Sequence, residues 1–188
     1  MRVISGSAKG RPLKAVPGMG TRPTTDKVKE ALFSMIGPYF DGGEALDLFA
    51  GSGGLGIEAL SRGMERAVFV DSDRKAVDTV RDNAKAAKVE AAAEIYRNDA
   101  MSALKVLAKR ERTFDLVFLD PPYRMKNVPE YLSYMEAQGM LREGATAVAE
   151  HEASHEYPER FGGFVLRRRA DYGETAVSIY SFTKEMET

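Results

Sequence analysis

From residue 44 onward the chain alternates short apolar runs with amphipathic stretches, and that alternation leaves few folds open. Apolar runs at 45–49, 67–70, 93–97, 116–119 and 145–150 are separated by helical patterns at 54–62, 74–87, 102–109 and 129–138. A strand, a helix and a second strand in that order form a parallel pair with a right-handed crossover. Repetition of that unit predicts an α/β fold with a doubly wound, mostly parallel sheet. Ala76, Val77, Val80, Ala84 and Ala87 fall on one face of the 74–87 stretch, as a helix resting on a sheet requires. Pro129 opens the 129–138 helix and Gly139 follows its end. The last two runs, 164–168 and 175–182, leave no room for a helix between them. They are expected as an antiparallel edge hairpin, which brings the sheet to seven strands.

The region before residue 44 reads differently. A helix is expected at 27–36, capped by Thr24 or Thr25 and stopped by Gly37-Pro38. Val28, Ala31, Leu32, Met35 and Ile36 form its apolar stripe, with Lys27 and Lys29 on a solvated face. Residues 2–5 and 12–16 read as short strands joined by Gly6-Ser7-Ala8-Lys9-Gly10-Arg11, a mobile basic hairpin. The expected organisation is a small basic N-terminal hairpin extension, 1–20, on a catalytic domain, 21–188. Residues 1–30 hold seven cations against Asp26 and Glu30, although the 188-residue chain has a net charge of −1. That is a basic arm on a near-neutral body, and Arg2, Lys9, Arg11, Lys14 and Arg22 are its candidate phosphate contacts. Arg167, Arg168 and Arg169 lie on an expected strand, where alternation lets at most two share a face.

The absence of cysteine excludes disulfides, thiolate zinc sites and cysteine nucleophiles. It also excludes methylation of a pyrimidine C5 through a cysteine adduct. His151 and His155 flank Glu152 without a second ligand pair, so no metal is expected. No signal peptide or membrane-spanning apolar run is present, so a cytoplasmic protein without membrane contact is expected.

Two stretches carry chemistry. The buried-strand pattern at 116–119 runs into Asp120-Pro121-Pro122-Tyr123. Prolines lack N–H groups and bias the preceding residue to extended geometry, so the strand gives way to a stiff loop. Open α/β sheets bind ligands at such carboxyl ends of strands. A carboxylate, a carbonyl and an aromatic face suit a flat base bearing an amine. The second stretch is Leu46-Asp47-Leu48-Phe49-Ala50-Gly51-Ser52-Gly53-Gly54-Leu55-Gly56. Gly51 and Gly53 let a ligand approach the backbone closely. Asp71 ends the second strand, where a carboxylate can hold ribose hydroxyls. Asn98-Asp99 ends the third, where Asp99 can accept from an adenine amine. The segment also matches the Gly-x-Gly-x-x-Gly of NAD-binding proteins. Against NAD, the chain has no room for a substrate domain. Asp47 also suits the sulfonium and ammonium of S-adenosylmethionine better than a pyrophosphate.

Together these motifs resemble class I S-adenosylmethionine-dependent methyltransferases that act on amines. Arg2-Val3-Ile4-Ser5-Gly6, Gly10-Arg11-Pro12-Leu13, Thr21-Arg22-Pro23-Thr24, Lys29-Glu30-Ala31-Leu32-Phe33 and Tyr172-Gly173-Glu174-Thr175 narrow the resemblance to the RsmD-like bacterial 16S rRNA guanine-N2 methyltransferases. It implies a Rossmann-like methyltransferase sheet and S-adenosyl-L-methionine as cofactor. The implied cofactor set is Asp47, Phe49, Ala50, Gly51, Ser52, Gly53, Asp71, Ser72, Asn98, Asp99 and Ala100. The implied catalytic set is Asp120, Pro121, Pro122 and Tyr123. The implied partner of this expected monomer is 16S ribosomal RNA, within a small subunit or its assembly intermediate. An adenine-N6 DNA methyltransferase can carry the same Asp-Pro-Pro-Tyr, but the chain has no room for a DNA-recognition domain. A non-catalytic RNA- or nucleotide-binding module is a further alternative, and the intact loop argues against it.

Overall fold

The structure, a computed structural model, describes residues 1–18, 25–122 and 125–184. The chain forms two compact units, Met1–Ala100 and Met101–Thr188. In the first, β1 (Glu44–Asp47), β2 (Arg66–Asp71) and β3 (Ala93–Arg97) run parallel in the order β3-β2-β1. Helices α2 (Gly54–Ser61) and α3 (Arg74–Ala86) make the crossovers. The Asp73 carboxylate caps α3 by accepting from the Lys75 N–H at 3.2 Å, and Ala76, Val77, Val80 and Ala84 form its buried face.

Every residue of α2 is buried, which one sheet face alone does not achieve. The second cover is the N-terminal segment. Ile4 and Ser5 donate their N–H groups to the Glu58 carboxylate at 2.9 and 3.1 Å. Ser7 donates to the Ser61 carbonyl and Ala8 to the Ser61 hydroxyl, while Val3, Ala8 and Leu13 are buried. A Cβ on Gly6, at φ +92°, would collide with the Ser61 carbonyl, so the approach requires glycine. The segment expected as a mobile hairpin is therefore bonded along its backbone. Its two expected strands reduce to a single bridge between Arg2 and Pro12.

Helix α1 (Asp26–Ile36) is capped by the Thr25 hydroxyl, which accepts from the Val28 N–H at 3.3 Å. Its buried face is Lys29, Leu32 and Phe33, not the stripe through Val28. Lys29, expected in solvent, is 0% exposed. Its ammonium lies 3.4 Å from Glu58 and donates to the Arg2 carbonyl at 2.6 Å. On the other side, Arg62 Nε donates to Glu58 at 2.7 Å. Burial lowers the Lys29 pKa, against the opposing pull of Glu58. A charge buried this deeply persists because it is paired and hydrogen-bonded.

In the second unit α4 (Ala100–Lys109) leads to β4 (Phe114–Leu119), followed by α5 (Val128–Ala137) and β5 (Leu141–Glu152). β4 and β5 are parallel. β7 (Phe164–Tyr172) and β8 (Thr175–Phe182) form the expected antiparallel hairpin, with β8 against β5. Among the described residues there are eight strands, not seven. The extra one, β6 (Arg160–Phe161), pairs two residues with β7 and is too short to show a period. The register slips between Leu166 and Arg168. That bulge breaks the strict alternation expected of Arg167–Arg169 and leaves Arg167 and Arg168 both exposed. Among the described residues, no helix is long and apolar enough to cross a membrane.

Candidate active site

In the first unit, the three parallel strand ends are stitched together by hydrogen bonds. Ala50 N–H donates to the Val70 carbonyl at 2.8 Å, and Gly51 N–H donates to Asp71 Oδ2 at 2.9 Å. Asp71 Oδ1 accepts from the Asp73 N–H at 2.9 Å. Asn98 N–H donates to the Asp71 carbonyl at 3.0 Å, and Asp99 N–H to Asn98 Oδ1 at 2.9 Å. Arg97 Nε donates to the Ser72 carbonyl at 3.4 Å. The turn after β1, Asp71-Ser72 and Asn98-Asp99 are thus brought to one edge. Phe49 and Ser52 are half-buried there, and Ala100 is buried at the start of α4. Each Asp71 oxygen holds one backbone N–H and keeps further acceptor capacity for a hydroxyl.

The three motif glycines do different things. Gly51 has φ +57°, and a Cβ there would meet nothing within 4 Å, so the backbone is open to a ligand. Gly53 has φ +82°, and its Cβ would meet Val80 at 3.2 Å and Ile57 at 3.3 Å. At Gly56 a Cβ would collide with the Phe69 ring. The expected ligand clearance therefore belongs to Gly51. Gly53 and Gly56 make room for α3 and β2.

Asp47 is 1% exposed, and its Oδ2 accepts from the Gly56 N–H at 3.2 Å. Burial pushes its pKa up to about 7, with the Asp71 charge adding to the rise and the Gly56 bond opposing it. A cation at this turn relieves that strain, and a pyrophosphate worsens it. The donor set therefore fits S-adenosylmethionine.

In the second unit, β4 is buried over Leu116–Leu119 and delivers a half-buried Asp120, a buried Pro121 and an exposed Pro122. The Met125 N–H donates to the Pro122 carbonyl at 2.8 Å, which closes the loop. Tyr123 lies outside the described residues, as does Arg22 of the basic arm. Beside Pro121 is a pocket whose lining includes Met125, Lys126, Glu150, His155 and Tyr157. His155 and Tyr157 meet edge-to-face at 4.4 Å between ring centroids. His151, also in the lining, is tied to the Glu152 carbonyl and the Ser178 hydroxyl, each at 2.8 Å. Burial lowers its pKa. Among the described residues no cluster of His, Cys, Asp and Glu could hold a metal.

The candidate phosphate contacts Arg2, Lys9, Arg11 and Lys14 lie at the surface. Lys9 and Arg11 are exposed. Arg2 pairs with Asp26 at 3.2 Å and Lys14 with Asp82 at 3.8 Å. Exposed pairs of this kind are worth about 0–1 kcal/mol, so a phosphate can replace them.

Residues 1–181 match the family described as Conserved hypothetical protein 95. Over 180 residues the chain is 57% identical to the Putative rRNA methyltransferase YlbH of Bacillus subtilis (strain 168), covering 96% of this chain and 98% of that one. It is 33% identical over 180 residues to the Ribosomal RNA small subunit methyltransferase D of Escherichia coli (strain K12), covering 96% and 89%. The chain belongs to this methyltransferase D family. Its structure superposes on that of the Putative methyltransferase yhhF from Escherichia coli with a TM-score of 0.81 and 33% identity, over 98% of this chain and 99% of that one. The relatives bear the names of ribosomal RNA methyltransferases, so the NAD and DNA-adenine readings are not favoured.

Two features of this family member lay beyond the sequence reading. One is the buried set Lys29, Glu58 and Arg62; its sequence signal is the four-residue spacing of Glu58 on α2 and Arg62 at its C-cap. The other is Asn83 on α3, which is 1% exposed and whose amide is fully engaged in hydrogen bonds. A polar residue among the apolar positions of a helix was the only available sign.

Proposed function

We propose that this protein transfers a methyl group from S-adenosylmethionine to the exocyclic N2 amine of a guanine in small-subunit ribosomal RNA. The observation that carries the reading is Asp120, a half-buried carboxylate at the end of a buried strand, followed at once by a buried proline. Bound S-adenosylmethionine supplies an electrophilic methyl on a sulfonium. Gly51 gives that ligand access to the backbone, Asp71 receives its ribose, and Asp47 favours its positive charge from behind the turn. Phe49, Ala50, Ser52, Gly53, Ser72, Asn98, Asp99 and Ala100 complete the cofactor set.

An ionised Asp120 only accepts hydrogen bonds. Guanine offers it the adjacent N1–H and N2 donors, whereas adenine offers one amine beside a repelled N1 acceptor. The Pro121 carbonyl, as a second acceptor out of the base plane, pyramidalises the amine and aims its lone pair at the methyl. Positioning of this kind is worth about 7–11 kcal/mol. General-base assistance is worth less, about 10²–10⁴-fold, so Asp120 acts first by orientation. The Pro121 carbonyl accepts from the same amine, Pro122 stiffens the loop and Tyr123 stacks on the base. Arg2, Lys9, Arg11, Lys14 and Arg22 hold phosphates. The protein acts as a cytoplasmic monomer on the small subunit or its assembly intermediate.

Single-turnover methylation tests the assignment. Asp120→Asn keeps one acceptor and retains part of the rate, whereas Asp120→Ala loses far more with cofactor binding intact. A near-normal rate in Asp120→Ala contradicts it.

A further inference from the structure

Asn83 holds two functional segments of the first unit with one side chain. Its Oδ1 accepts from the Lys14 N–H at 2.8 Å. Its Nδ2 donates to the Lys14 carbonyl at 3.0 Å and to the Ser52 carbonyl at 2.9 Å. Lys14 belongs to the basic arm, and Ser52 is in the turn between the open Gly51 and Gly53. The amide orientation is fixed by these partners, since only the oxygen accepts and only the nitrogen carries two donors. No other side chain of this size meets one N–H and two carbonyls at once. The residue is 1% exposed, so water does not replace a lost bond. The rest of the turn is equally held: Gly51 N–H by Asp71, Gly53 N–H by the Ala50 carbonyl and Gly56 N–H by Asp47. Asn83 is the member of this set that reaches outside the cofactor half. A second contact follows the same route, the Met1 sulfur lying 3.9 Å from the Ser52 hydroxyl.

We propose that Asn83 is a positioning residue that couples RNA capture by the arm to cofactor binding at the Gly51–Gly53 turn. The inference rests on the functional reading above, in which the arm holds phosphates and the turn holds S-adenosylmethionine. Phosphate bound at Lys14 adds to the bonds that already hold the arm, and the Asn83 amide passes that restraint from the Lys14 backbone to the Ser52 carbonyl. Cofactor at the turn favours the same three bonds from the other end, so each ligand tightens the other by the same factor.

The test uses the full chain, S-adenosylhomocysteine, and small ribosomal subunits from cells lacking the protein. Equilibrium dialysis measures the S-adenosylhomocysteine Kd with and without saturating subunits. For the unaltered chain the subunits tighten Kd by at least about fivefold, the lower end of ordinary coupling. Asn83→Ala brings that ratio to near one. Asn83→Asp is the isosteric second variant: it keeps the acceptor for the Lys14 N–H and turns the donors to Lys14 and Ser52 into repelled oxygens. It folds with the arm in place and also loses the ratio, while circular dichroism verifies the fold of each variant. A variant that circular dichroism shows to be folded has lost no binding-competent chain, so a loss of stability short of unfolding leaves Kd and the ratio intact. A ratio of one in the unaltered chain, or a ratio preserved in either folded variant, overturns the proposal while the cofactor reading stands. Absence of S-adenosylhomocysteine binding to the unaltered chain overturns the cofactor reading, and the coupling falls with it.

Discussion

Asp47 makes the chemistry of the turn depend on pH. Its folded pKa is about 7, against roughly 3.9 for an unfolded aspartate. Between those values the folded chain keeps a proton that the unfolded chain has lost. Asp47 therefore lowers stability as pH rises from about 4 to about 7, and its cost is complete above 7. A cation at the turn favours the ionised form. Cofactor affinity is expected to rise with pH up to about 7, by at most roughly tenfold per unit, and to flatten in Asp47→Asn. Calorimetric titration across that range checks it, and equal pH slopes in both proteins contradict it. The glycines make a second residue-scale prediction. Left-handed backbone costs a non-glycine residue about 1–3 kcal/mol. Gly53→Ala adds a squeeze against Val80 and Ile57, so it lowers Tm more than Gly51→Ala, and Gly51→Ala weakens the cofactor with the smaller loss of Tm. The spacing of these glycines was legible in the sequence. Their division of labour was not, because it depends on Val80 and Phe69 arriving from other elements.

Helix α2 owes its full burial to two covers, and Glu58 joins one of them to the fold. Its carboxylate accepts from Ile4, Ser5 and Arg62 and faces Lys29. Removing one partner of a buried ionic cluster leaves the others uncompensated, at about 3–5 kcal/mol. Glu58→Ala is expected to lower stability by that amount, with the amides of Val3 to Ala8 gaining exchange before the strands do. Protection of those amides equal to that in the unaltered chain contradicts it. The strand–helix alternation, the helix ends and the edge hairpin were all readable from periodicity and turn residues. The burial of Lys29 was not, because helical period sorts residues by polarity and cannot reveal an acid on a distant helix. The same limit hid β6, which has only two residues, and the bulge that places Arg167 and Arg168 together on the surface.

At the scale of the whole molecule, a net charge of −1 conceals an arm whose exposed cations lie on a backbone fixed to α2. RNA affinity is expected to fall with salt. Arg11→Ala with Lys14→Ala should flatten that dependence by about one unit of slope per lost phosphate contact. An unchanged slope in the double variant contradicts the arm's role. The candidate site was legible as residues, because both loops follow buried strands and carry turn chemistry. The restraints on the Gly51 turn and on the arm were not legible, since Asn83 and Glu58 act through backbone groups that a sequence does not bring together. The atom methylated distinguishes a guanine-N2 enzyme from an adenine-N6 one most directly. Labelled S-adenosylmethionine is supplied with the protein and small ribosomal subunits lacking the modification, and the RNA is digested to nucleosides. Label is expected in N2-methylguanosine, and label in N6-methyladenosine, or in DNA alone when DNA is offered, contradicts a guanine-N2 target.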